Sequence, residues 1–389
     1  MWLPPKKTPK KMSKKIKITP NSDCEITVSS PKDTNGQRTT WIFIIEKDVL
    51  VAQSKYFKAS FRFNEEHGPH AIHLEGDGLA AIQTWLYILH GSKLALDVRA
   101  DVLAKFQARD IWDIIVAADK YQFKISLMNS FFEKWYKVHV KAKLACSDQN
   151  DKDVWDLARI VVLPCALFDY AEGFAEVTKW LAYNSRGHIA EKRPEGFKWE
   201  HIHLAPPDFV GPMNSARGRL KTVLHTNLWT RVGRLFQEGK RSSTCTHAPE
   251  SAGTFLSALV DLHAYPLELV WPKNSVTEVL SLLSNFRDLR TGRCSVCTVW
   301  NWKELVEHAV VVTEHYFDGL CLDCMNRSRL PRGKDPDTEY WNANGSDGVG
   351  RWDSKCRITH GQPTWYHSFL GRHEDRQFFL KDGRDDDSD

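Results

Sequence analysis

Two cysteine pairs, Cys294-Ser295-Val296-Cys297 and Cys321-Leu322-Asp323-Cys324, carry the clearest chemistry in the chain. A CxxC turn can direct two thiolates into one corner of a tetrahedron, and two such turns complete a closed four-sulfur zinc site. The interval from Thr298 to Leu320 holds twenty-three residues, slightly more than the commonest spacing, and neither knuckle carries the Pro or Gly typical of zinc ribbons. The predicted ligands are therefore Cys294, Cys297, Cys321 and Cys324. Four thiolates leave zinc no open position for water or substrate, so this zinc is structural and holds a small C-terminal fold together.

Other metal-ligating types are scattered. His308 and His315 lie between the pairs and are expected to face solvent or to cap a helix. Cys245-Thr246-His247 and Cys356-Arg357-Ile358-Thr359-His360 offer a second site across sequence distance, although neither has a complete ligand set, and whether these four residues bind metal stays open. Cys24, Cys146 and Cys165 are isolated and read as packed small hydrophobes. No H-E-x-x-H, P-loop or G-x-S-x-G occurs, and Gly345-Ser346-Asp347-Gly348-Val349-Gly350 lacks the flanking strand of a nucleotide fingerprint. No catalytic group stands out, and the chain does not read as an enzyme.

The elements that position these groups follow from periodicity. Trp302, Leu305, Val306, Ala309 and Val310 predict a helix between the cysteine pairs. Upstream, Asp23 to Val28 and Thr40 to Ile45 are β-rich runs around the turn-forming stretch Pro31 to Gln37 and predict a hairpin. Leu50, Ser54, Phe57 and Phe61 recur at helical spacing, as do Ile82, Leu86 and Leu89, and the alternation Ala71 to Leu74 between them predicts a short strand. Gly76-Asp77-Gly78 supplies a turn and a cap region. Further helices are predicted after Asp110, through Ile111, Ile114, Ile115 and Ala118, then Leu127, Phe131 and Trp135, and again from Val154 to Asn184. Ala216, Leu220, Leu224, Leu228, Val232 and Leu235 predict one long amphipathic helix whose stripe is buried against other helices.

The run from Val49 to Tyr121 resembles a BTB/POZ domain. The likeness rests on Val49-Leu50-Val51-Ala52-Gln53-Ser54-Lys55-Tyr56-Phe57, on Ile72-His73-Leu74-Glu75-Gly76-Asp77, on Trp85-Leu86-Tyr87-Ile88-Leu89-His90-Gly91 and on Ala117-Ala118-Asp119-Lys120-Tyr121. Asp23 matches the acidic residue that commonly opens the family's first strand, whereas Glu46 stands where the family normally has a histidine. The segment from Leu181 to Phe197 resembles the region after the BTB domain in filamentous-fungal BTB proteins of unassigned role. Periodicity supports an α+β class; the resemblance makes its N-terminus a small sheet on a helical cluster, and the helical runs and cysteine pairs add a mainly helical region and a small zinc-binding-like C-terminal module. The resemblance also implies a protein-interaction function, by homodimerisation through the BTB domain or by recruiting a partner, including as a substrate adaptor of a cullin-type ubiquitin ligase. Phe63-Asn64-Glu65 resembles the apolar-x-Glu motif of cullin-binding members, which makes Phe63 and Glu65 the partner-binding residues it implies.

The expected divisions are a basic disordered tail over 1–20, the BTB/POZ domain over 21–143, a polar boundary from Ser147 to Asp153, a mainly helical region over 154–288, the zinc module over 289–362 and a polar, acidic tail over 363–389. A chain of 389 residues with 42% hydrophobic and 11% aromatic residues is composed to fold. The lysine-rich start has no apolar core and no run of about eighteen apolar residues occurs, so neither a signal peptide nor a membrane span is indicated. An intracellular chain, nuclear or cytoplasmic, keeps its nine cysteines reduced, which favours metal ligation over disulfides. The lysine tail fits a nuclear-localisation signal or a solubilising segment equally. A net charge of +4 marks no strong polyanion binder. Nucleic-acid binding, as in BTB transcription factors with zinc fingers, is the alternative function, for which Arg327, Arg329 and Arg332 offer phosphate contacts; a recognition helix is lacking.

Overall fold

The computed structural model describes residues 13–32, 36–67, 72–91, 103, 105–146, 151–197, 208–241, 247–287, 301–329, 356–371, 374 and 376. The chain divides into two compact units that alternate along the sequence. Unit 1 comprises Met1–Cys146, Leu163–Tyr170 and Lys192–Pro206; unit 2 comprises Ser147–Val162, Ala171–Glu191 and Pro207–Asp389. Both α-helix and a small sheet are present, in keeping with the mixed class expected.

Unit 1 carries a four-stranded sheet of β1 (Ser13–Lys17), β2 (Cys24–Ser29), β3 (Thr40–Ile45) and β4 (Ile72–Glu75) in the order β1-β3-β2-β4. β2 and β3 form the antiparallel hairpin, with Ile26 opposite Phe43, and β4 runs parallel to β2, with Ile26 beside Ile72 and Val28 beside Leu74. This register aligns the buried side chains Ile26, Val28, Phe43, Ile72 and Leu74 on one face, as period-two alternation requires. β1 was not foreseen. The basic tail expected over residues 1–20 becomes a strand at Ser13, pairing parallel with β3 through its main chain while Lys15 reaches Glu25 and Lys14 lies over the Trp41 ring.

The helical stripe through Leu50, Ser54, Phe57 and Phe61 is two helices, α1 (Lys47–Gln53) and α2 (Lys55–His67). Ser54 separates them in an extended conformation, φ −143° and ψ 121°. Its hydroxyl accepts from the Phe57 amide at 3.1 Å and donates to the Tyr121 carbonyl at 2.6 Å, so it starts the second helix and fastens it to the core. α3 (Leu79–Leu89), α4 (Ala108–Tyr121) and α5 (Asn129–Tyr136) follow, and a π turn over Lys137–Lys141 leads into α6 (Ala142–Cys146). Phe57, Leu86 and Ala117 are all buried, as their helical positions predict. Asp77 is buried too, and it receives the Tyr121 hydroxyl at 2.7 Å and the Lys120 ammonium at 2.9 Å. The turn Gly76-Asp77-Gly78 is thereby tied to the end of α4, because a buried carboxylate must be both paired and hydrogen-bonded.

Unit 2 is helical. Its elements are the first part of α7 (Lys152–Leu167), then α8 (Ala171–Asn184), α9 (Val210–Arg241), α10 (Ala248–Asp261), α11 (Leu267–Val270), α12 (Val276–Leu283), α13 (Trp302–Glu314), α14 (Leu322–Ser328) and α15 (Gln362–Ser368). α9 is the single long helix predicted: Ala216, Leu220, Leu224, Leu228 and Leu235 are buried and Val232 half-buried. α13 buries Trp302, Leu305, Val306, Ala309 and Val310, with Trp302 stacked on Phe255 at 4.7 Å. The acidic tail expected over 363–389 instead begins as α15, where Thr364, Trp365 and Ser368 are fully buried. Among the described residues no helix is long and apolar enough to cross a membrane.

Candidate metal centre

Cys321 stands at the start of α14 and Cys324 one turn inside it, so the two sulfurs share one side of the helix end. Of the four ligands expected, these two are brought into a cluster; Cys294 and Cys297 lie outside the described residues. The partners of Cys321 and Cys324 are Cys356 and His360, which immediately precede α15. The candidate ligand atoms of Cys321, Cys324, Cys356 and His360 all lie within 4.8 Å of one another, and three of the residues are buried with Cys356 half-buried. Among the described residues, the cluster that could hold a metal thus joins Cys321 and Cys324 of the expected set to Cys356 and His360, whose role the sequence left open.

The two distances from Cys324 suit a tetrahedron. Ligands about 2.3 Å (sulfur) and 2.0–2.1 Å (nitrogen) from a common zinc stand about 3.8 Å apart between sulfurs and about 3.6 Å between sulfur and nitrogen. Cys324 Sγ lies 3.6 Å from Cys356 Sγ and 3.5 Å from His360 Nε2. The Cys324–Cys356 contact is not a disulfide, whose sulfurs stand at about 2.05 Å. The far ring nitrogen of His360, Nδ1, is 3.1 Å from the Gly361 carbonyl oxygen. That contact fixes the ring and leaves Nε2 as the lone-pair atom turned to the sulfurs, the arrangement that ligating histidines use.

The supporting shell accounts for how residues 32 or more positions apart meet. Asp323, between the two cysteines of α14, accepts from the Arg357 amide at 2.8 Å and from its guanidinium Nη2 at 2.8 Å, holding the residue after Cys356 in place. Cys321 N donates to Ser368 Oγ at 2.8 Å and Gly361 N to Asp318 Oδ2 at 3.0 Å, so α15 is tied to the strand-like entry into α14 at both ends. Trp365 and Phe369 pack on the buried cysteines and close the site to solvent from that side. Gly319, at φ +94°, runs so close to α8 that a Cβ there would stand 2.0 Å from the Ala175 carbonyl oxygen. Only glycine permits both the left-handed backbone and that approach.

Mutual hydrogen bonding and burial also shift the titration of two of these groups. Hydrogen bonds with the Cys321 and Cys356 sulfurs, and then burial, push the Cys324 thiol well above its ordinary value. Burial works against a charged His360, yet hydrogen bonds with the Cys321 and Cys356 sulfurs outweigh it and push the imidazole up to about 10. Zinc binding requires deprotonated thiols and a neutral imidazole, so a divalent cation would displace the protons that these shifts favour on Cys324 and His360.

The other residues singled out in the sequence sit apart from this cluster. His308 and His315 are exposed, His315 at the C-terminal cap of α13. His247 is exposed just before α10, and Cys245 is outside the described residues. Cys165 is fully buried and Cys24 half-buried. Arg327 donates to Cys356 Sγ at 3.8 Å, which engages it at the cluster; Arg332 lies outside the described residues. Phe63 is 54% exposed on α2, and the Glu65 side chain lies outside the described residues. Lys47 N donates to Asp23 Oδ1 at 2.9 Å, and Glu46, at the position where a histidine was expected, accepts from the Thr19 hydroxyl at 2.5 Å. The chain matches no protein-family model, no curated protein and no solved structure.

Proposed function

We propose that this chain is a protein-interaction protein, with a BTB/POZ-type first unit that self-associates or recruits a partner and a second unit stabilised by one structural zinc. The observation that supports the interaction role is the exposed aromatic surface of α2. Tyr56 and Phe63 are 37% and 54% exposed, and together with Ala59 and Ile72 they line a shallow concavity of about 650 Å³. Aromatic side chains partly exposed on one helix face suit a partner surface better than they suit solvent. The order hairpin, two helices, strand parallel to β2 and helices beyond is consistent with the BTB reading of the same residues. A cullin-type scaffold is the specific partner that Phe63 and Glu65 suggest, in a nuclear or cytoplasmic setting.

The zinc reading rests on the clustering of Cys321, Cys324, Cys356 and His360 within 4.8 Å, with Cys324 at tetrahedral distances from Cys356 and His360. Zinc is favoured over harder cations because three thiolates and an imidazole are its preferred donors. With all four positions filled by protein the ion supplies no catalytic water, in agreement with a role in assembly.

Both parts are tested on the full-length chain. Affinity capture followed by mass spectrometry should recover a defined partner, or sedimentation should show a dimer, and Phe63→Asp should reduce that association at least tenfold while the circular dichroism is unchanged. A monomer that captures the same proteins as the Phe63→Asp variant would rule out the interaction role. Elemental analysis should find zinc, with one equivalent lost in Cys324→Ser; zinc content identical in the two proteins would rule out this ligand set.

A further inference from the structure

We propose that Cys356 is an oxidative modification site, at which a hydroperoxide drives formation of a Cys324–Cys356 disulfide and ejects the zinc. The inference rests on the zinc reading above and concerns the regulation of that same centre. Three features of the cluster carry it. Cys321, Cys324 and His360 are buried to 2% exposure or less, whereas Cys356 keeps part of its surface in solvent, so an incoming oxidant reaches this sulfur first. The Arg327 guanidinium lies 3.8 Å from Cys356 Sγ, where its positive charge stabilises both the thiolate and the sulfenate that oxidation produces. A resolving thiol is already in place, because Cys324 Sγ is 3.6 Å away.

The chemistry balances in two steps. The Cys356 thiolate attacks one peroxide oxygen; the O–O bond breaks, Cys356 becomes a sulfenic acid, and the departing hydroxide takes a proton from solvent to leave as water. The Cys324 thiolate then attacks the Cys356 sulfur; an S–S bond forms, the S–O bond breaks, and a second hydroxide is protonated to water. Two thiolates have lost two electrons to one hydrogen peroxide, which has taken up two protons and become two waters. Zinc retains only Cys321 and His360, half of its ligand set, and dissociates. Closing the two sulfurs from 3.6 Å to the bonded distance of about 2.05 Å asks for a shift of roughly 1.5 Å, within reach of side-chain rotation at the half-buried Cys356.

The experiment uses the full-length protein with its zinc content measured beforehand. Hydrogen peroxide is added in a few-fold excess, zinc release is followed with a chromogenic chelator, and the bonded cysteines are mapped by mass spectrometry without reduction. The expected result is release of the ion together with a Cys324–Cys356 peptide, reversed by a dithiol reductant plus zinc. Cys356→His keeps four ligands without a sulfur at this half-buried position, and should bind zinc yet release it at least tenfold more slowly. A mapped bond between Cys321 and Cys324, or release from a zinc-loaded Cys356→His protein at the unaltered rate, would overturn the proposal. Purified chain with no zinc at this centre would overturn the zinc reading itself, and this one with it.

Discussion

At the scale of single residues, the ligand set shows what spacing can and cannot reveal. The CxxC of Cys321 and Cys324 was legible because two thiols three positions apart meet on one helical turn. The neighbours that the fold brings to them were harder to foresee: Cys356-x-x-x-His360 has the spacing of half a zinc site, but a second CxxC nearer in sequence competed for the same two thiols, and sequence distance does not rank partners. The tie that decides it, Asp323 with Arg357, is an ion pair visible only in three dimensions. His367 offers a test at the same scale. It is 5% exposed, its ring meets the edge of Phe317 at 5.8 Å, and its Nε2 has no hydrogen-bond partner among the described residues. Burial, then the charges of Arg376 and Arg219, push it down to about 4. The unfolded imidazole titrates near 6.5, so folding favours the neutral ring: its contribution is present in full above about pH 6.5 and is lost as pH falls towards 4. Between pH 7 and pH 5 the native chain should lose about 2 kcal/mol more stability than His367→Gln. Acid release of zinc is common to both proteins and cancels in the comparison; melting curves of the two that fall in parallel would refute the assignment.

At the scale of elements, glycine marks where a backbone is irreplaceable. Gly319→Ala combines a left-handed φ with a carbonyl 2.0 Å from the new methyl, and neither α8 nor the segment entering α14 can yield without disturbing the cysteines that follow. We expect a loss of at least about 2 kcal/mol and weaker zinc retention. Gly253→Ala is the control: it lies in α10 with nothing within 4 Å of its Cβ, so it should be neutral or stabilising by up to about 1 kcal/mol. Denaturant unfolding that ranks the two variants equally would show that the close approach carries no weight. Elements with a long apolar stripe were readable in advance, α9 above all, because a four-residue step sustained over twenty positions has one explanation. The break between α1 and α2 was hidden, since Ser54 fits the stripe of a continuous helix and acts as a cap only because the Tyr121 carbonyl is there to receive its hydroxyl. β1 was hidden for a different reason. Its lysines read as a solvated tail, while the main chain of a strand pairs whatever its outward side chains are.

At the scale of the whole molecule, two compact units predict two responses. Leu86 is buried in unit 1, in α3 beside Trp85, whose indole nitrogen donates to the Ile114 carbonyl at 3.0 Å. Leu86→Asp places an unpaired charge among apolar side chains, a change that costs several kcal/mol and exceeds what a unit of this size has in reserve. The zinc centre lies wholly in unit 2 and joins Cys321 and Cys324 to Cys356 and His360, so removing its ion withdraws a cross-link from that unit alone. Calorimetry of the native chain should therefore resolve a transition that a zinc chelator lowers and another that it leaves within a degree or two, and Leu86→Asp should abolish the second while zinc is still bound stoichiometrically. One transition that moves as a whole under both treatments would mean that the units fold as a single cooperative body, and that the metal stabilises the entire chain.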